Sequence, residues 1–159
     1  MEKEGICCFI GHRHVEDEED IRQKIREIVT TLVREGRIKT FLFGSRSRFD
    51  DLCHEEVTEL RGRYPEIRRV YVRAEFPVIT AQYESYLLRR FEETVYPDCA
   101  KGAGRAAYIK RNQYMMDHSA VCVFYCREYE IHEVNCKKSG TRIALAYAEA
   151  HGAEILRIR

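Results

Sequence analysis

Along the whole chain, short apolar runs rich in β-branched and aromatic residues alternate with segments whose apolar residues recur every three to four positions. A run of the first kind suits a strand buried on both faces, whereas a segment of the second kind has one apolar stripe and needs a surface to lie on. Repetition of the pair predicts an α/β chain of parallel strands joined by helical crossovers. Gly5 to Ile10 reads as the first strand. After it, Ile21, Ile25, Ile28, Val29, Leu32 and Val33 fall on one helical face, with an acidic approach from Glu16 to Asp20 and Gly36 where a left-handed terminating residue is wanted. Lys39 to Phe43 is a second strand. Ser47 with Asp50 three residues later forms a capping-box pattern that opens a helix with Leu52, Cys53, Val57 and Leu60 inward. Arg68 to Val72, Thr94 to Tyr96, Ala120 to Tyr125 and Glu154 to Ile158 read as further strands. Helices are predicted over Tyr83 to Phe91, Arg105 to Asp117 and Ser139 to His151, the last ended by Gly152.

No internal repeat interrupts this pattern, and 159 residues suit one domain over 1–159. Lys and Arg total 27 against 26 Asp and Glu, a net charge of +1, so there is no global basic field of the kind that draws proteins to duplex nucleic acid. A nucleic-acid partner is disfavoured, and any anion site must be local. The longest stretch without a charged residue, His118 to Cys126, is about half the ~20 apolar residues a membrane span needs. With an N-terminus too acidic for a secretion signal, a cytoplasmic protein is expected. Seven cysteines are then expected to be free thiols, with Cys7, Cys8 and Cys122 in the core. Cys126, His132 and Cys136 offer two thiolates and an imidazole, but at spacings without a CxxC knuckle or a fourth ligand, which disfavours a metal. No cofactor is called for.

In an open parallel sheet, ligands bind beyond the carboxyl ends of the strands. Three loops there combine glycine or small hydroxyl residues with basic side chains: Gly11-His12-Arg13-His14, Gly44-Ser45-Arg46-Ser47-Arg48 and Lys137-Lys138-Ser139-Gly140-Thr141. Glycine lets a phosphate approach the backbone, a hydroxyl donates one hydrogen bond, and Arg or Lys supplies charge, so together they outline a phosphate cradle. A Walker A loop, a GxGxxG after the first strand and a nucleophile elbow are all missing, which disfavours ATPase, dehydrogenase and acyl-transfer chemistry. His12 and His14 are candidate bases. Capping explains Asp50 and Asp51 more simply than acid–base work.

Four segments in order, Cys7-Cys8-Phe9-Ile10-Gly11-His12-Arg13, Phe43-Gly44-Ser45 with Phe49-Asp50, Arg111-Asn112-Gln113-Tyr114-Met115-Met116-Asp117-His118-Ser119 and Ser139-Gly140-Thr141, resemble the YpsA/YoqJ-type branch of the SLOG superfamily. The resemblance implies a single-domain Rossmann-like fold, a mostly parallel sheet flanked by helices on both faces. It also implies a nucleotide-derived ligand, such as ADP-ribose or an NAD fragment, held by Gly11, His12, Arg13, Gly44, Ser45, Arg111, Asn112, Ser139, Gly140 and Thr141. Met115 and Met116 are expected in the core. The superfamily includes the DprA DNA-processing proteins and the LOG phosphoribohydrolases. Hydrolytic LOG proteins resemble Pro-Gly-Gly-x-Gly-Thr-x-x-Glu at the last helix, and here Arg111 stands in the position of their Arg while Ala144 replaces the Glu. Binding or sensing of the ligand is therefore favoured over N-glycosidic cleavage, which would need another acid such as Glu84 or Asp117. The oligomeric state, including a homo-oligomer, and a lid over 127–138 are left open.

Overall fold

The computed structural model describes residues 3–74, 78–126 and 140–159. Among them, strands β1 (Ile6–Gly11), β2 (Thr40–Phe43), β3 (Arg68–Val72), β4 (Glu93–Val95), β5 (Val121–Tyr125) and β6 (Glu154–Ile158) alternate with helices α1 (Glu18–Arg34), α2 (Arg48–Arg61), α3 (Ala81–Arg90), α4 (Ala107–Asp117) and α5 (Gly140–Ala150). Two 3-10 turns, Asp98–Ala100 and Gly104–Ala106, lead from β4 into α4. The boundaries follow local chemistry. The Ser47 hydroxyl accepts from the Asp50 amide at 3.2 Å and opens α2, and the Thr80 hydroxyl accepts from the Tyr83 amide at 3.1 Å and opens α3. Gly36, at φ 72°, takes the left-handed turn that releases the chain from α1 toward β2.

All six strands form one sheet in the order β4-β3-β2-β1-β5-β6, and every pairing is parallel. The chain builds outward from β1 to β4 and then returns to the far side of β1. The central pair, with Gly11 opposite Tyr125 at its carboxyl end, is thus the point where strand order reverses.

Side chains of β1 divide between two cores. Cys7 and Phe9 pack with Ile25, Val29, Phe49 and Leu87 from α1, α2 and α3, whereas Cys8 and Ile10 pack with Met115, Ala144 and Ala148 from α4 and α5. Helices therefore cover both faces, and the architecture is Rossmann-like. Phe9 stacks on Phe41 at 5.6 Å, and burial of each such ring contributes roughly 1.5–3 kcal/mol. The expected core cysteines Cys7, Cys8 and Cys122 and the methionines Met115 and Met116 are all buried. No helix among the described residues is long and apolar enough to cross a membrane.

Candidate functional site

The parallel topology brings the ends of β1, β2 and β5 and the starts of α2, α4 and α5 to one edge of the sheet. The first loop is pinned there from two sides. At Gly11 a Cβ would fall 2.3 Å from Cδ2 of Phe49, so only glycine lets the end of β1 lie against α2. The His12 amide donates to the Tyr125 carbonyl at 3.2 Å, and the Arg48 amide donates to the Arg13 carbonyl at 3.1 Å. Tyr125 stacks on Phe49 at 5.5 Å, and its hydroxyl accepts from the Glu16 amide at 3.3 Å. His12 is buried in this seam, while Arg13 and His14 are exposed.

The second loop meets α4. A Cβ at Gly44 would fall 2.5 Å from Sδ of Met115 and 2.8 Å from Cδ of Arg111, so the glycine is the seat on which the Arg111 side chain lies. Arg111 is only 5% exposed. Its Nε donates to Oδ1 of Asn112 at 2.9 Å, and its guanidinium carbon lies 5.7 Å from the Tyr108 ring centroid. Asn112, expected to contact a ligand, thus uses its side-chain oxygen to hold Arg111.

Beside them lies a group that sequence reasoning treated as a helix cap. The Asp50 amide is indeed capped by Ser47, but the Asp50 carboxylate turns back to the loop, where Oδ2 accepts from the Ser45 amide at 2.7 Å and the Ser45 hydroxyl at 2.9 Å. Burial pushes its pKa up to about 6, against the opposing pull of the Ser45 bonds and the Arg111 charge. Asp50 is therefore mostly ionised at pH 7 and titrates close to neutrality. The signal available in the sequence was its place, an acid opening the helix after the second strand, where Rossmann folds put a polar contact to a nucleotide sugar.

Asp50 and Ser45 also line a narrow solvent-open cleft with Arg46, His54, Tyr86 and Arg90. The Arg46 guanidinium lies over the rings of Tyr83 and Tyr86, 5.1 and 5.2 Å from their centroids. Nε2 of His54 bonds the Arg90 carbonyl at 2.8 Å, and burial holds the imidazole below its usual range despite that bond. Sequence reasoning did not single out this cleft, since its residues come from four elements.

On the opposite face, Gly140 and Asn112 share a groove between α4 and α5 that Ala144 also lines, and Thr141 is buried in the first turn of α5. Topology puts Thr141 at the same edge as Arg13, Ser45 and Arg111. Ser139, the 127–138 segment, His132 and Cys136 lie outside the described residues. Among the described residues, no group of three His, Cys, Asp or Glu could hold a metal ion. Of the acids considered as substitutes for the residue at Ala144, Asp117 accepts from the Tyr147 hydroxyl at 2.8 Å at the end of α4 that leads to the amino end of β5, away from the rim. Glu84 occupies the first turn of α3. No protein-family model and no curated protein matches the chain.

Proposed function

We propose that the protein binds a nucleotide-derived ligand, such as ADP-ribose or an NAD fragment, at the carboxyl edge of its sheet, and reports that occupancy rather than consuming the ligand. The observation that carries this reading is the packing of a buried, permanently charged Arg111 on Gly44, next to the strand-order reversal where α/β sheets take nucleotides. The first loop adds backbone amides and Arg13, and the start of α5 adds the positive end of a helix dipole. The likeness of the four sequence segments to SLOG proteins of the YpsA/YoqJ type points the same way, and Ala144, in place of a carboxylate, favours capture over hydrolysis.

Calorimetric titration of the purified protein with ADP-ribose, NAD and AMP tests the proposal. At least one should bind below millimolar concentration, and Gly44→Ala, which drives a methyl group into Arg111, should weaken that binding at least tenfold. Absence of binding to all three at millimolar concentration overturns it.

Asp50 gives a second reading some footing: a carboxylate near the rim that titrates near neutrality can serve as the acid–base group of N-glycosidic cleavage. Release of free base from nucleoside monophosphates or NAD, lost in Arg111→Ala, would favour this reading. Intact nucleotide after prolonged incubation excludes it.

A further inference from the structure

Among the described helices, α5 is the poorest in charge. Arg142 and Glu149 are its only Lys, Arg, Asp or Glu residues, whereas each of α1 to α4 carries at least three. Its buried residues are Thr141, Ala144, Leu145 and Ala148, so at 3.6 residues per turn the opposite side presents Ile143, Ala146 and Ala150. Ala146 and Ala150 are exposed and Ile143 is half-buried, an apolar stripe that faces outward. On the α4 side the stripe is bordered by Tyr147, which lines a groove with Ile143, Ile109 and Gln113. The Tyr147 hydroxyl donates to Oδ1 of Asp117 at 2.8 Å, which ties the ring to α4. On the other side Arg142 and Glu149 border the stripe, seven positions apart and so on one line along the helix.

This face is complementary to itself. A two-fold axis lying across the helix at Ala146 sets a second α5 antiparallel over the first and keeps each border on its own side. Arg142 of one copy then meets Glu149 of the other, and Ile143 meets Tyr147, each pair occurring twice. Ala146 faces Ala146, which lets the two helix axes approach closely. The charged pair and the apolar pair are both centred within one residue of Ala146. Only a second copy of the chain requires that symmetry.

We infer that this face joins two copies of the chain into a dimer, through antiparallel α5 helices with reciprocal Arg142–Glu149 pairs. Gly140 and Asn112 line the same groove, so the second copy stands beside one wall of the candidate site. The pairing needs no ligand, and it holds whether or not a nucleotide binds.

Sedimentation equilibrium of the purified protein is the test. At about 100 µM the chain should be dimeric. Ala146→Glu, which sets two like charges face to face from an exposed position, should leave it monomeric with an unchanged circular dichroism spectrum. Arg142→Glu and Glu149→Arg each bring like charges together twice, and each should weaken dimerisation about tenfold. Both changes suit the helix dipole, so neither should unfold α5. Arg142→Glu combined with Glu149→Arg rebuilds the pairs with their signs exchanged, and should return the affinity to within about threefold of wild type. A monomer at about 100 µM, a dimer that survives Ala146→Glu, or a double reversal no tighter than either single one would overturn the assignment.

Discussion

At Asp50, a single carboxylate opposes two demands. Its bonds from Ser45 and the nearby Arg111 charge favour ionisation, while burial favours the proton, and burial prevails enough to bring its pKa to about 6. In the unfolded chain the same group titrates near 3.9. The folded state therefore binds the proton more tightly, and Asp50's contribution to stability is greatest below about pH 4 and is lost as pH rises through 6. Carrying the buried charge at neutral pH costs on the order of 3 kcal/mol. Asp50→Asn removes that cost, so the stability of the variant relative to wild type should improve by roughly 2–3 kcal/mol between pH 4 and pH 7.5 in urea titrations at the two pH values. Parallel pH dependences of the two proteins would mean that burial does not govern this group.

Among the elements, β3 and β6 coincide residue for residue with the apolar runs that predicted them, and α2 begins at the predicted cap. A dense local signal explains the start of α2, since a Ser cap bonds an amide three residues away whatever the rest of the chain does. Replacing that cap by Ser47→Ala should cost about 1 kcal/mol in chemical denaturation. An unchanged midpoint would show that α2 is held by its packing alone. Signals were sparser between Arg90 and Arg105. There β4 is three residues long and lies one position earlier than the pattern suggests, and a 3-10 turn precedes α4 where an unbroken helix was expected. Pairing with β3 places β4, with Thr94 opposite Tyr71, and such non-local pairing has no mark in a three-residue window. The destination of the Asp50 side chain was hidden for a related reason. A capping pattern specifies the amide bond at that position and says nothing of where its carboxylate turns.

For the whole molecule, the all-parallel sheet buries five of the described cysteines, Cys7, Cys8, Cys53, Cys122 and Cys126, and leaves Cys99 exposed. Burial pushes the Cys7 and Cys53 thiols well above their ordinary range, which removes the thiolate that reagents attack. Iodoacetamide should therefore modify Cys99 in the native protein while these five react only on unfolding, as mapped by peptide mass spectrometry. Rapid native labelling of Cys8 or Cys122 would contradict the close packing of β1 against β5. Alternation of residue types along the chain was enough to specify an α/β domain, most element limits, the buried thiols and the glycine-rich loops, because periodicity and capping act within a few residues. Strand order, the seating of Arg111 on Gly44 and the turn of Asp50 toward Ser45 were decided only in three dimensions, where the energy of bringing distant segments together depends on which side chains then share one buried space.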